Sequence, residues 1–323
     1  MNVISMDPME KLVSPRTVAN NFEIKVPASI ANLGPGFDTL AVAVQLYLVL
    51  RVRKMPGHGE LEFRFLDHEL CGANHIERAY RFLAGERIAD LPSLSVDVHS
   101  AIPMRAGLGS SAAATVAGLR LYEAVTGPVP VESMLKAACA LESHPDNAAA
   151  SLLGGLTISC QLGDGTVYAT QFPWPESLAF VVVTPELPLT TAESRAVLPE
   201  GVSRADVVFN LQRVALLLQS LQSEDFSLLK HALTDRLHQP ARQKIVPGLA
   251  EALQLAHRDL LGVCLSGSGP SIVALAERNL WEIGKLLASV YQKSGIAYHI
   301  RTLQAHQEIE EHISVFRSGL LCC

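Results

Sequence analysis

The spacing of apolar residues along the 323-residue chain predicts strands and helices that alternate through two successive halves. Alternation of apolar and polar residues is typical of half-buried strands, and repeats of three to four residues are typical of helices. The strands predicted in the first half are Glu23–Ser29, Leu40–Arg53, Glu60–Leu66, Leu94–His99 and Leu153–Ser159. The helices predicted there are His75–Arg87, Ser110–Gly127 and Val131–Ser143, the last of which should end before Pro145.

The second half follows a predicted linker at Gly163–Leu178. Its predicted elements are a strand at Ala179–Pro185, helices at Asp206–Leu233, Pro247–Asp259 and Ile283–Gly295, a strand–turn–strand unit at Gly262–Glu277 and a final strand at Ala297–Leu303. Because strands and helices alternate without a regular βαβ repeat, the pattern predicts an α+β fold. We expect a tail at residues 1–20, an N-terminal domain at 21–170 and a C-terminal domain at 171–318.

Composition excludes several classes of protein. The chain is 49% hydrophobic and 18% charged, and its net charge of -6 with a pI near 6.0 argues against nucleic-acid binding. The longest apolar run, Leu40–Leu50, is much shorter than the roughly 20 residues of a membrane span. Charged residues and Pro8 stand where a signal peptide needs its apolar stretch, so we expect a cytoplasmic protein without a membrane partner.

The six cysteines are scattered without metal-ligand spacing, which is typical of a reducing compartment. Cys139, Cys160 and Cys264 stand in apolar contexts and are predicted to be buried thiols. Cys71 and the terminal pair Cys322–Cys323 have no predicted role.

The glycine-serine loop within PMRAGLGSSAAATVAG (Pro103–Gly118) permits three interpretations. Gly107, Gly109 and Ala112 fit the dinucleotide fingerprint, but no strand runs directly into the first glycine and no acidic residue ends a following strand. A Walker P-loop is excluded because the loop has no lysine. The third interpretation is an anion site at the start of a helix, and its alternative is a serine N-cap with a glycine turn.

Three further segments accompany this loop: PASIANLGPGFDTL (Pro27–Leu40), ESHPDNAAASLLGG (Glu142–Gly155) and LSGSGPSIVAL (Leu265–Leu275). Together the four segments resemble the GHMP kinase superfamily, over about residues 25–303. TTAESRAVLP (Thr190–Pro199) and DRLHQPARQKIVPG (Asp235–Gly248) make the resemblance closest to the homoserine kinases.

The resemblance implies a two-domain α+β fold with the active site between the domains. The N-terminal domain should contain a left-handed βαβ unit, and the C-terminal domain should be a ferredoxin-like sandwich. It further implies an enzyme that uses ATP and Mg²⁺ to convert L-homoserine into O-phospho-L-homoserine, a step toward threonine. Members of the family often form homodimers, so a homodimer is possible here.

The resemblance also assigns the nucleotide site. The residues expected to bind ATP are Asn74, Pro103, Arg105, Ala106, Gly107, Leu108, Gly109, Ser110, Ser111, Ala112 and Ala113. Asn74 should contact the nucleoside and also act as the N-cap of the following helix. Ser111 and Glu142 match the metal ligands, since Mg²⁺ prefers hard oxygen ligands; the alternative for Glu142 is a solvated carboxylate at a helix end.

The catalytic and substrate residues are assigned in the same way. Asp146, Asn147 and Thr191 match catalytic positions, with Asp146 and Asn147 predicted on a loop after Pro145; whether Asp146 acts as a base or only orients the hydroxyl stays open. The residues expected to bind the substrate are Asn32, Asp38, His144, Arg195 and Arg242. The two arginines match a carboxylate clamp and Asp38 could pair with an ammonium, whereas Asn32 could equally hold a turn and His144 could be a plain loop histidine.

The sequence departs from the family pattern at Ser143, where many homoserine kinases have glycine. Three other functions compete with the main hypothesis. They are another GHMP kinase with a different small alcohol (mevalonate-type or sugar), a non-catalytic nucleotide-binding relative and a nicotinamide-dependent oxidoreductase.

Overall fold

The computed structural model describes residues 20–67, 72–163 and 166–307, together with the backbone of 313–314. Cys71, Cys322, Cys323 and all but the last residue of the expected tail lie outside the described residues. No helix in the described part of the chain is long and apolar enough to cross a membrane.

The first half contributes six strands and four helices. In chain order they are β1 (Asn21–Ala31), β2 (Leu40–His58), β3 (Leu61–Phe65), α1 (His75–Ala84), β4 (Pro92–Ser100), α2 (Ser110–Thr126), α3 (Val131–Glu142), α4 (Asp146–Leu153), β5 (Leu156–Gln161) and β6 (Val167–Phe172). A 3₁₀ helix, Gly85–Asp90, follows α1.

The second half contributes the remaining elements. They are β7 (Ala179–Pro185), α5 (Thr191–Ala196), α6 (Arg204–Ser223), α7 (Leu229–Ala232), α8 (Gln239–Arg242), α9 (Leu249–Ala252), β8 (Gly262–Leu265), β9 (Ile272–Ala276), α10 (Leu280–Gln292), β10 (Tyr298–Leu303) and β11 (Ile313–Ser314). A short 3₁₀ helix, Phe226–Leu228, precedes α7.

The larger sheet has the strand order β11-β1-β2-β4-β3, with β5 paired to the start of β2 and β6 paired to β5. Its β1–β2 ladder shifts register between Pro27 and Ala28. A proline has no N–H to donate, so a ladder tolerates it best at such an irregularity. Beyond the shift, Ser29–Ala31 continue toward the loop that follows β1.

The strands β3 and β4 are parallel and joined through α1, whereas the other pairings of the larger sheet are antiparallel. This is the only parallel pair among the described strands and is the βαβ unit that the family resemblance implies. The handedness of its crossover stays a prediction.

The smaller sheet has the order β10-β7-β9-β8 and is antiparallel throughout. In the order of the chain these strands read 4-1-3-2 with helices after the first and third, which is the ferredoxin-like βαββαβ arrangement. The α+β, two-domain fold predicted from the sequence is therefore confirmed.

The chain returns to the larger sheet after β10. The amide of His306 donates to Ala43 O at 2.8 Å, the carbonyl of His306 accepts from Gly155 N at 2.7 Å, and Ala305 bridges to Val44. The strand β11 then pairs with β1. The two halves are thus joined by backbone hydrogen bonds as well as by the segment between β6 and β7, and β6 itself lies within the predicted linker.

Several details of the sequence prediction are wrong. The helix predicted at Asp206–Leu233 ends at Ser223, and only Leu249–Ala252 of the helix predicted at Pro247–Asp259 is helical. Asp146 and Asn147 do not lie on a loop; they are the first residues of α4, because Pro145 stands in the N-cap position and starts a new helix. Cys160 is exposed near the end of β5, whereas Cys139 and Cys264 are buried as predicted.

The end of α3 carries a local strain. Ser143 caps the helix in the left-handed conformation, with φ of 70°, and its N–H donates to Cys139 O. A residue with a Cβ pays about 1–2 kcal/mol in this conformation, which glycine adopts freely.

We therefore expect Ser143→Gly to raise the free energy of unfolding by about 0.5–1 kcal/mol, after allowance for the greater freedom of glycine in the unfolded chain. Urea unfolding measures it. The control is Ser133→Gly in the exposed first turn of the same helix, which should lower stability by about 0.5 kcal/mol. A loss of stability in both variants would contradict the argument.

Candidate active site

A cleft of about 220 Å³ lies where the two domains meet; we call it the central cleft. It brings together most of the residues that the sequence assigned to a site. Those that line it are Asn32, Asp38, Arg105, Ala106, Gly107, Gly109, Ser110, Ser111, Ala112, Glu142, His144, Asp146, Asn147, Thr191, Arg195 and Arg242. Pro103, Leu108 and Ala113 do not line it, and the side chains of the last two are packed in the hydrophobic core.

A second, mostly apolar pocket of about 530 Å³ adjoins the central cleft and shares Arg105, Ser110 and Ser111 with it. Asn74 lines this apolar pocket. Its side chain also accepts a hydrogen bond from Glu77 N at 3.2 Å and so caps α1, as predicted. The two cavities together offer a polar chamber and an apolar chamber on either side of the start of α2.

The glycine-serine loop ends at Gly109, and α2 begins at Ser110. Gly107 and Gly109 have φ of 75° and 70°, a region that glycine occupies without strain. The free N–H groups of the first turn and the positive end of the helix dipole therefore face the cleft, which favours an anion there.

Protein atoms packed on both sides of this loop leave no room for a Cβ at Gly107 or Gly109. A Cβ on Gly107 would overlap Ser266 O and lie 2.7 Å from Gly269 O, and one on Gly109 would overlap the Ser29 hydroxyl. In return the loop is fixed: Ser266 Oγ donates to Gly107 O at 2.6 Å, and Ser29 N donates to Leu108 O at 3.2 Å.

The Glu142 carboxylate lines the central cleft beside Ser111, which lines both cavities. Ser111 Oγ lies 2.8 and 2.9 Å from its two oxygens, Thr115 Oγ1 donates to it at 2.6 Å, and His75 Nδ1 lies 3.6 Å away. Burial raises the pKa of this carboxyl, whereas the nearby imidazole of His75 and the hydrogen bonds from Thr115 and Ser111 lower it, and the net pKa is below its ordinary value. Glu142 is therefore an ionised, nearly buried carboxylate and not a solvated helix end.

A chain of hydrogen bonds runs along the floor of the cleft from Ser29 to His144. Ser29 Oγ donates to Asn147 Oδ1 at 2.8 Å, and the Asn147 N–H donates to Asp146 Oδ1 at 2.7 Å. The same Asp146 oxygen lies 2.7 Å from His144 Nδ1. Burial lowers the pKa of His144, but the bond to Asp146 outweighs it and the net pKa is raised. His144 is therefore an oriented side chain rather than a plain loop histidine.

Arg195 and Asp38 form a two-pronged ion pair across the domain junction. The Nη1 and Nη2 atoms of Arg195 donate to the two carboxylate oxygens at 3.0 and 2.6 Å. Both side chains remain about one-third exposed at the cleft wall. The residues predicted to meet a substrate carboxylate and a substrate ammonium thus contact each other.

Arg242 is almost completely buried at the back of the cleft. Its Nη1 donates to Gly267 O and to His238 Nδ1, both at 2.9 Å, and its Nε donates to Ser194 O at 3.3 Å. Burial, together with the charge of Arg195, lowers the pKa of Arg242 to about 10, so the group is still charged at neutral pH. The cleft therefore contains two fixed guanidinium groups.

Asn32 uses both ends of its amide inside the protein. Its Nδ2 donates to Gly267 O at 2.9 Å, and its Oδ1 accepts from Asp38 N at 3.0 Å. Because these two bonds fix the loop that carries Asp38, the structure supports the turn-holding alternative for Asn32.

Several residues of the site were missed at the sequence level. Ser29 and Phe37 lie inside motifs that had been singled out, and Phe37 places its ring 5.5 and 5.3 Å from the guanidinium carbons of Arg195 and Arg242. His75 and Thr115 carried no signal, since only the tertiary fold brings them to Glu142.

Two family models match the chain: the GHMP kinases N terminal domain at residues 74–155 and the GHMP kinases C terminal at residues 217–280. The fold agrees, since the galactokinase of Lactococcus lactis superposes with a TM-score of 0.67 over 90% of this chain and 95% of its own, at 14% identity. The chain belongs to the GHMP kinases, a class of ATP-dependent kinases.

More similar relatives refine this assignment. The homoserine kinase of Solibacter usitatus is 39% identical over 283 residues, which are 85% of this chain and 92% of that protein. The homoserine kinase of Moorella thermoacetica is 36% identical over 290 residues, 87% of this chain and 96% of that protein. The homoserine kinase structure from Cytophaga hutchinsonii matches with a TM-score of 0.80 over 93% of this chain and 99% of its own, at 24% identity. Within the GHMP kinases, the chain belongs to the homoserine kinase family.

The packing around Gly107 leads to a prediction with a matched control. Gly127, at the other end of α2, also has positive φ, but no described heavy atom lies within 4 Å of the point where its Cβ would stand. Gly127→Ala should therefore cost only backbone strain, about 1–3 kcal/mol at φ of 104° and ψ of 177°. Gly107→Ala adds overpacking against backbone carbonyls, about 1–3 kcal/mol more. Equal losses in urea unfolding would show that the close approach at Gly107 is unimportant.

Proposed function

We propose that this protein catalyses the transfer of the γ-phosphoryl group of ATP to the hydroxyl of L-homoserine, giving ADP and O-phospho-L-homoserine for threonine biosynthesis. The observation that carries the proposal is the Arg195–Asp38 pair, with Arg242 behind it, in the cleft beside the glycine-serine loop. A guanidinium group binds a carboxylate in two-pronged fashion, and a carboxylate binds an ammonium. The pair therefore presents one partner for each charge of an amino-acid zwitterion.

The nucleotide site follows from the two adjoining cavities. The apolar pocket beside Asn74 suits a nucleoside, and the start of α2 with Arg105 suits the phosphates. Leu108 and Ala113 would contribute backbone atoms or packing only, because their side chains are in the core.

The residues present fit Mg²⁺. Ser111 Oγ and the ionised Glu142 carboxylate are hard oxygen groups in contact with each other at the cleft, and Mg²⁺ bound with a nucleotide usually takes only one or two protein ligands. Among the described residues no cluster of three or more His, Cys, Asp or Glu forms a metal cage, consistent with that mode. When bound, the ion neutralises charge on the phosphates.

The remaining polar groups would position the acceptor hydroxyl. Asp146 Oδ1 is occupied by His144 and Asn147, and Oδ2 makes no hydrogen bond among the described residues, so it is available to the hydroxyl. Thr191 begins α5 and lines the cleft opposite. We assign Asp146 the orientation of the hydroxyl, and its action as a base stays open. In phosphoryl transfer most of the catalysis is such positioning.

A cytoplasmic location and a homodimer remain expectations of the sequence. A sugar as substrate would leave Arg195 and Arg242 without a carboxylate partner, and mevalonate, which has a carboxylate but no ammonium group, would leave Asp38 without one. A non-catalytic relative would have no use for the complete set of Ser111, Glu142 and Asp146. A turnover assay with three acceptors separates these functions.

Purified protein with Mg-ATP should release ADP with L-homoserine and not with mevalonate or galactose. Arg195→Ala should lower kcat/KM for L-homoserine about tenfold to hundredfold, because a charge-assisted contact to the substrate is lost. Arg204→Ala, at an exposed arginine that starts α6, is the control and should leave turnover unchanged. Turnover driven by mevalonate or galactose would refute the assignment of L-homoserine as the substrate. Nucleotide binding without any turnover would favour a non-catalytic binding protein.

The metal assignment has its own test. Ser111→Ala and Glu142→Gln should each raise the Mg²⁺ concentration for half-maximal activity about tenfold or more, because one of few protein ligands is lost. The affinity for ATP in the presence of a chelator, measured by calorimetry, should change little. Equal Mg²⁺ requirements in wild type and variants would contradict the assignment.

A further inference from the structure

His238 is completely buried between the loop that follows β1 and the helix α8. Its Nε2 lies 2.8 Å from Gly34 O, and its Nδ1 lies 2.9 Å from Arg242 Nη1. It does not line the central cleft. Its only route to the substrate is therefore through the residues that it contacts.

The partners of the imidazole determine its tautomer. An arginine can only donate and a carbonyl oxygen can only accept, so Nδ1 is unprotonated and Nε2 carries the proton. Burial lowers the pKa of His238, the nearby charge of Asp235 raises it and the charge of Arg242 lowers it. The net pKa is lowered, so the ring is neutral at physiological pH. A neutral ring with this tautomer satisfies both contacts at once.

Asp235 determines where the ring stands. This carboxylate has no exposure to solvent and accepts backbone N–H bonds from Leu237, His238 and Gln239 at 2.9, 2.9 and 2.7 Å. Asn210 also donates to it at 2.7 Å. The start of α8 is thus fixed by a side chain three residues ahead of His238.

The contacts of Arg242 leave one part of its guanidinium unused. Nη1 is taken by His238 and Gly267, and Nε by Ser194, but Nη2 has no hydrogen bond within the described part of the chain. Because Arg242 lines the cleft, Nη2 is the group available to a ligand there.

We propose that His238 is a positioning residue for substrate recognition: through Nδ1 it holds the guanidinium of Arg242 so that Nη2 meets the substrate carboxylate. This inference rests on the proposed function, since it requires an acceptor with a carboxylate. It concerns affinity for the amino acid and not the chemical step, because nothing links His238 to the phosphates or to Asp146.

Two substitutions distinguish the roles of the two ring nitrogens of His238. His238→Asn keeps an acceptor near the position of Nδ1 and removes the group at Nε2, whereas His238→Gln places its amide near Nε2 and leaves Arg242 Nη1 without this acceptor. Both remove the stacking of the ring on Phe37, whose centroid is 5.2 Å away, and both should lower thermal stability to a similar degree.

We expect the KM for L-homoserine to rise about tenfold or more in His238→Gln and to stay within about threefold of wild type in His238→Asn, since only the former frees Arg242 from its buried partner. The KM for ATP and kcat should be similar in both. His231→Gln, at an exposed histidine in α7, is the matched control and should behave as wild type.

Equal rises in KM for the two variants would overturn the inference and leave His238 a purely structural residue. A parallel rise in the KM for ATP would do the same, because it would show general distortion of the site. Failure of the wild-type protein to phosphorylate L-homoserine is a separate result, which would refute the proposed function before any variant is compared.

Discussion

The site depends on one tight turn, Ser266–Ser271, between β8 and β9. Its backbone and hydroxyl groups bond to several other segments around the cleft. Ser266 Oγ and Ser271 N donate to the carbonyls of Gly107 and Ala106, and Ser268 O accepts from Ser194 Oγ in α5. Gly267 N donates to Ala31 O, and Gly267 O accepts from both Asn32 Nδ2 and Arg242 Nη1. A buried backbone group without a partner is costly, so these bonds hold the glycine-serine loop, the loop after β1 and α8 in one arrangement.

The charges of the cleft are arranged around this turn with few left unpaired. Arg195 and Asp38 neutralise each other in the absence of a substrate, so neither is a lone charge at the domain junction. An amino acid carries the same two charges, and on binding it can take over each contact with an equivalent one. Replacing the Arg195–Asp38 ion pair by two ion pairs with the substrate loses little electrostatic energy. An uncharged alcohol offers no such replacement, so the Arg195–Asp38 pair contributes nothing to its binding.

The parts of this picture that the sequence predicts are those with a local signal. The glycine-serine loop, the strands and the long helices α2 and α6 are visible because turn residues and periodicity repeat within short windows. The helix α4 is not, because Pro145 can end one helix or start another, and only its packing decides. The return of Ala305 and His306 to β2 joins residues that are distant in sequence. The contact of His238 with Arg242 is a buried polar bond, and no periodic pattern in the sequence encodes it.

Backbone strain is another feature of the site that depends on contacts between residues distant in sequence. Among the described non-glycine residues with positive φ, Asn32, Asp38 and Arg105 line the cleft, and Leu33 and Ser143 are next in sequence to residues that line it. Glu224 and Asn279 stand elsewhere, both at helix ends. Asn32, Leu33 and Asp38 follow β1, with Leu33 buried in the core, and each such residue costs about 1–3 kcal/mol. Such conformations persist only where tertiary contacts impose them, here through Gly267 and Arg195. The geometry that presents Asp38 to a substrate is therefore a property of the assembled domains, and the loop sequence alone would not adopt it.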